Sequence, residues 1–254
     1  MSNALDLREA LKSWPYDPDN DARVVTGKDG RKILQVRTPL GIEQMEMDGR
    51  PDGARPHGIE SALEFQIMRL TTAQAAGREE DFELTPEACA ELFNEGTLYY
   101  LRYVRLFQLR DWKRTIRDTS RNLRAFDLVH QYAQREEDQT FLEKWRPYIL
   151  RVQWSALSLA ELDKGLFDKA LRLTREGLQK VEELAELDDE TFKYERERSI
   201  TALSELAEQL EKNRPLSKLE KLEKQLHRAV DQQEFERAAE LRDQIRELKK
   251  QQVA

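Results

Sequence analysis

The chain has 254 residues, 36% charged and 39% hydrophobic, with 42 Lys and Arg against 49 Asp and Glu and a formal net charge of -7. No run approaches the roughly 18–20 apolar residues of a membrane span, residues 1–6 lack the charged and apolar regions of a signal peptide, and the single Cys89 excludes an internal disulfide framework or a cysteine zinc site. Ten glycines and eight prolines are few for so charged a chain, so the composition predicts a mainly α-helical, cytoplasmic protein.

The first fifty-odd residues differ from the rest. Asp29-Gly30 and Pro39-Leu40-Gly41 are turn signals, and Arg23–Thr26, Ile33–Arg37 and Ile42–Met47 show partial alternation. This predicts a three-stranded antiparallel meander, too small to stand alone, with one face packed on helices. Asp48–Gly58 is broken too often by Gly and Pro for a helix or ladder. It carries Asp48, Arg50, Asp52, Arg55 and His57 among glycines. Arginines beside glycine amides could hold a phosphate or carboxylate of a partner. The alternative is a connecting loop held by internal salt bridges. The acid spacing does not match a calcium loop.

Helical periodicity follows. Helices are predicted at about 59–76, 85–109 (N-capped by Thr85 before Pro86), 111–135 (capped by Asp111), 139–163, 167–187 and 190–212. Short connections favour an antiparallel bundle. Asn213-Arg214-Pro215 ends it, and Ser217-Lys218-Leu219-Glu220 reads as a capping box opening a new element. The expected division is a mixed β cap at 1–58, a helical bundle at 59–214 and a helical hairpin at 215–254.

Charge is uneven. Residues 102–124 hold eight basic side chains and two acids, so this segment is +6 and the remainder -13. Arg110, Arg114, Arg117, Arg121 and Arg124 share one narrow helix face at about 100° per residue. Trp112, Ile116, Leu123 and Phe126 lie roughly opposite. The arginine face is therefore expected to meet solvent, nucleic acid or an acidic partner, or to be satisfied by the six acids of residues 182–190. His57, His130 and His227 form no metal spacing, and neither metal nor cofactor is expected. His130 is read as a half-buried, satisfied histidine and Cys89 as a small apolar residue in a helix.

In the C-terminal segment, Leu219, Leu222, Leu226, Ala229 and Val230 form one helical stripe, and Phe235, Ala238, Leu241, Ile245 and Leu248 another. Folding back would bury the stripes together, with Ala238 and Ala239 allowing close approach and Phe235 as the large plug. With nine basic and eight acidic residues, residues 215–254 are nearly neutral. About thirty-five residues is below the roughly 40 that fold unaided, so the hairpin should dimerise or dock on a partner.

The uninterrupted string Phe235-Glu236-Arg237-Ala238-Ala239-Glu240-Leu241-Arg242-Asp243-Gln244-Ile245 resembles the core of the UVR motif, the UvrB/UvrC interaction motif. The resemblance implies a helical hairpin for protein–protein contact rather than catalysis, in nucleotide excision repair or in Clp-type quality control. It implies a contact surface of Phe235, Glu236, Ala238, Ala239, Leu241, Arg242, Asp243 and Ile245. The chain lacks the phosphate-binding loop of UvrB and the cysteine pairs of McsA-type adaptors. A second segment, with Trp154, Leu157, Gly165, Phe167, Ala170 and Gly177, is similar to a tetratricopeptide repeat, departing from it at Glu161, Thr174 and Glu182. Trp112 and Phe167 are 55 positions apart, against a period of about 34, which argues against a regular array. The expected function is a non-enzymatic adaptor with UvrB- or UvrC-type partners or self-association. The alternatives are an adaptor of a Clp-type protease and nucleic-acid binding through the arginine face.

Overall fold

In the computed structural model, which describes residues 7–215 and 218–253, the N-terminal meander forms where the turn residues place it. Strands β1 (Ala22–Thr26), β2 (Lys32–Thr38) and β3 (Gly41–Glu46) pair antiparallel in chain order, with Val24 opposite Leu34 and Leu34 opposite Met45. Gly30 takes φ +80° in the first turn, a conformation that only a residue without Cβ adopts cheaply. The period of two puts Leu34, Val36 and Met45 on one face, where they pack with Met47 and with Leu106 of a helix described next. The other face carries a polar row in which Arg23 donates to Gln35 and Gln35 to Gln44. A short helix not foreseen from the sequence, α1 (Arg8–Ser13), precedes the sheet, and Arg23 stacks over Trp14 at 3.9 Å.

Helices α2 (Ala62–Ala75), α3 (Pro86–Gln108) and α4 (Trp112–Tyr132) begin at side-chain caps. Ser61 accepts from the Glu64 amide, Thr85 from that of Ala88 and Asp111 from that of Arg114. Their apolar faces meet in one core of Ala62, Leu63, Leu92, Phe126 and Val129, joined by Leu142 and Ile149 from downstream. Helix α4 stops at Tyr132 rather than Arg135. There the Leu84 amide donates to the Tyr132 carbonyl (2.8 Å) and the Gln134 amide to that of Leu84 (3.1 Å), so the chain leaves the helix to pair with an extended segment.

The single helix expected at 139–163 is a correction. The segment divides into α5 (Glu136–Phe141), a 3-10 turn (Glu143–Trp145) and α6 (Arg146–Leu162). Pro147 is the reason: without an N–H, and with a ring that clashes with the carbonyl four residues back, it starts a helix and does not sit inside one.

Helices α6 and α7 (Phe167–Glu182) form a tight antiparallel pair about Gly165, which takes φ +76°. A Cβ at Gly177 would stand 2.4 Å from the Trp154 Cβ, so glycine is what allows the two backbones to approach. Thr174 is buried and joins Ser158 (2.8 Å), whose hydroxyl donates to the Ala170 carbonyl (2.9 Å). Glu161 is held by Lys164 (2.9 Å) and Lys169 (3.2 Å). A polar pair and an ion cluster thus fill the two places where the repeat-like pattern would put aromatics.

Asp189 caps α8 (Glu190–Asn213) through the Phe192 amide. The chain clusters into two units, residues 1–208 and 209–254. The second contains a hairpin of α9 (Lys218–Asp231) and α10 (Phe235–Val253). Ser217, and with it the expected capping box, lies outside the described residues.

Substituting Gly177 with Ala should lower stability by about 1–3 kcal/mol through overpacking against Trp154. Urea denaturation should register it as a lower midpoint with an unchanged slope.

Candidate functional site

In the hairpin the two apolar stripes meet in a seam of Leu222, Ala229, Ala238, Leu241 and Ile245, flanked by Leu219, Leu226 and Leu248. Ala229 and Ala238 are its most buried members. Two apolar residues expected inside this seam lie outside it, which corrects the reading of Phe235 as a plug. Phe235 is 72% exposed and Val230 44%. Gln233 takes φ +59° in the turn, and Phe235 is the first residue of α10, next to that turn.

The expected contact residues therefore divide. Ala238, Leu241 and Ile245 are consumed by the seam and reach no partner while the hairpin is closed. Phe235, Glu236, Ala239, Arg242 and Asp243 are exposed. Phe235, Ala239 and Arg242 follow i, i+4, i+7 and so share one outward strip, with Glu236 and Asp243 beside it. This strip has an aromatic anchor, a small residue admitting close approach, and charges of both signs, which is how a protein-contact surface is built.

The arginine row is paired within the chain, by acids other than the expected ones of residues 182–190. Each of its side chains is engaged by a carboxylate of the same chain, although Arg110 and Arg124 stay more than half exposed. Arg121 is buried and paired with Glu95, Arg124 reaches Glu64 (3.3 Å), and Arg110 pairs with Asp163. Arg114 and Arg117 both grip Asp48, at 3.1 and 2.5 Å, and Arg117 also donates to the Met47 carbonyl (2.8 Å). Arg102 is fully buried, with a bidentate bond to Asp118 (2.7 and 2.9 Å) and a third to the Glu46 carbonyl (2.8 Å). The counter-charges come from Asp48, Glu64, Glu95 and Asp163, not from residues 182–190. A helical wheel shows that a face is charged; it carries no information on which acids the rest of the chain lays against it.

Glu95 is the focus of this network. Its carboxylate is fully buried and accepts from the Ala62 (2.8 Å) and Leu63 (3.1 Å) amides at the start of α2, as well as from Arg121 and Arg50 (3.4 Å). Burial pulls the Arg121 guanidinium down to about 9, still far enough above neutrality to keep its charge against Glu95. Sequence reading did not single out Glu95, because an isolated acid on an amphipathic helix has no local signature of burial.

The Asp48–Gly58 loop is built into the same network. Besides Asp48, Arg50 binds Asp52 (2.9 Å), and His57 stacks on Phe65 (4.0 Å) and meets Glu91 (3.1 Å). Arg55 is exposed. The hydrogen bond from Arg114 holds the Asp48 carboxyl below its ordinary range. His130 is exposed, its Nδ1 3.3 Å from the Gln139 carbonyl, and not half-buried as its helical position suggested. Cys89 is buried in α3, and burial pushes its thiol up to about 11, which leaves it unreactive at neutral pH. Among the described residues no helix is long and apolar enough to cross a membrane.

Comparison with known families places the hairpin. Residues 217–251 match the family described as the UvrB/uvrC motif, UVR, so the C-terminus carries a UVR motif in the form of the α9–α10 hairpin. This motif implies a protein–protein interaction role. No curated protein and no solved structure matches the chain.

Changing Asp118 to Asn should cost about 3–5 kcal/mol, because it leaves Arg102 buried without its counter-charge; thermal or urea unfolding measures it. Asp48 supplies an acid-limb prediction. Its folded-state pKa is depressed, so its stabilisation is complete above the unfolded value of about 3.9 and is lost as pH falls through the folded value. Asp48→Asn should flatten the decline in stability below about pH 4 relative to the parent chain.

Proposed function

We propose that the protein is a non-enzymatic adaptor whose UVR hairpin recruits another protein, with UvrB- or UvrC-type components of nucleotide excision repair as its first cellular context. The observation that carries this reading is Phe235. A large ring that is 72% exposed beside the turn lies outside the apolar seam of the hairpin, yet it sits within the residues that match the motif. Exposed aromatics of this kind anchor interfaces by filling a pocket on the partner. Val230, also exposed, widens the apolar tip, and Arg242 and Asp243 offer charged hydrogen bonds along its flank.

The same surface fits an adaptor of a Clp-type protease, since the motif occurs in both settings and the contact chemistry is the same. Nucleic-acid binding through the arginine row is the weaker reading, because a phosphate would have to displace carboxylates already in place on Arg114, Arg117 and Arg121.

The test is binding of the full chain to purified UvrB and UvrC, with a ClpC-type unfoldase in parallel, for the parent and for Phe235→Ala. Truncating an anchor ring should weaken binding by at least about 2 kcal/mol, roughly thirtyfold. Because the ring is exposed, far-ultraviolet circular dichroism should be unchanged. Binding to the unfoldase alone would move the protein to quality control. Binding unaffected by Phe235→Ala would remove the proposed contact surface.

A further inference from the structure

A cleft of about 640 Å³ opens in the first unit, between α3, the α5–α6 break and the N-terminal half of α8. Seven of its sixteen lining residues are aromatic. Tyr100, Phe141 and Trp145 line it while remaining 42%, 46% and 42% exposed, and Phe93 and Tyr148 line it beside them. The rings are ordered among themselves: Phe93 stacks on Phe141 at 4.7 Å, and Tyr100 meets Tyr148 edge-on at 5.9 Å. Large rings exposed together along a concave surface mark a binding site more often than a packing defect.

The cleft is also a trough. Its lining runs along α3 from Ala90 to Tyr103, about 20 Å at 1.5 Å per residue. That length holds about six residues of extended chain, at roughly 3.3 Å each.

Its charge is unbalanced at one end. Arg151 and Arg198 share a single carboxylate, Glu195, at 3.6 and 3.8 Å. Both distances exceed hydrogen-bonding range, so the arginine donors facing Glu195 are not spent on it. The buried Arg151 Nε and Glu195 Oε2 have no hydrogen-bond partner. Burial and the like charge of Arg198 pull the Arg151 guanidinium down. Arg198, whose side chain is about half exposed, lines the cleft. At the other end Lys144 stands over the Phe141 ring at 4.4 Å. Two arginines therefore share one carboxylate at one end of the cleft, on a chain whose net charge is -7. A second carboxylate would complete the arginine pair with charge-assisted bonds.

We infer that this cleft is a second docking site, distinct from the UVR hairpin, for an extended acidic peptide of a partner protein. The peptide seats one or two aromatic or large aliphatic side chains between Tyr100, Phe141 and Trp145, and a neighbouring Asp or Glu meets Arg198. It stands independently of the UVR reading, since no residue of the hairpin takes part.

The test is selection of a displayed random heptapeptide library on the full chain, followed by affinity measurement of the enriched peptides by fluorescence anisotropy. Tyr100→Ala and Arg198→Glu are the variants, both at exposed side chains, with Phe235→Ala as control. Enriched sequences should pair an acid with an aromatic or large aliphatic residue. Each cleft variant should weaken their binding at least about tenfold, and Phe235→Ala should leave it unchanged. Replacing the peptide's acid with Lys should weaken binding to the parent chain and restore it to Arg198→Glu. No enrichment, enrichment of basic peptides, or binding indifferent to both cleft variants would overturn the proposal. Self-association that is lost in Tyr100→Ala would assign the cleft to a second copy and would overturn it as well.

Discussion

Two buried carboxylates, Glu95 and Asp118, hold the N-terminal half of this protein together. Asp118 neutralises Arg102, and Arg102 in turn donates to the Glu46 carbonyl at the end of β3, so the sheet is tied to α3 and α4 by a hydrogen bond that cannot be exchanged for water. Glu95 neutralises Arg121 and closes the first two amides of α2, placing a negative charge where the helix dipole favours one. Each ion costs desolvation, which its partners offset, although the buried Arg121 Nε has no hydrogen-bond partner. The meander, loop 48–58 and α2 therefore depend on the same charges, and the loop is held by Arg114 and Arg117 of α4 and by Glu91 and Glu95 of α3.

The hairpin works on the opposite principle. Its seam is apolar and short, with two alanines its most buried members, and it leaves its one aromatic ring outside. A unit of this size buries little surface by itself. Covering the exposed Phe235 and Val230 against another protein would add burial at the tip, where the two helices offer none. The stability of the hairpin and its capacity for interaction are thus coupled through the same few side chains.

The middle of the chain owes its form to small residues. Pro147 interrupts what would otherwise be one long helix, and the resulting α5 and 3-10 turn bring Phe141 and Trp145 to the mouth of a cleft that an unbroken helix would not frame. Gly177 lets α7 lie against Trp154, and the buried Thr174 and Ser158 bond to each other in the pair. The proline and the glycine set geometry through what they lack, an N–H in one case and a Cβ in the other.

Much of the fold was legible in the sequence because it rests on local signals. The turn glycines, the period-two strands, the caps at Thr85 and Asp111, and the motif at residues 235–245 all act over a few residues. The break at Pro147 was equally local and was passed over because the flanking apolar period continues through it. The candidate site was legible only in part. The exposed strip of Phe235, Glu236, Ala239, Arg242 and Asp243 belongs to the motif, but its separation from the buried Ala238, Leu241 and Ile245 depends on how two helices cross. The spacing of the arginine row is a fact of the sequence, but the carboxylates that pair with it, Asp48, Glu64, Glu95 and Asp163, lie up to 69 positions away. The sequence by itself determined the elements, the charge asymmetry and the presence of the hairpin, since those follow from neighbours along the chain. Tertiary structure alone decided which charges are neutralised, which ring is left exposed and where the aromatic cleft opens, because burial and ion pairing are properties of contacts between distant segments.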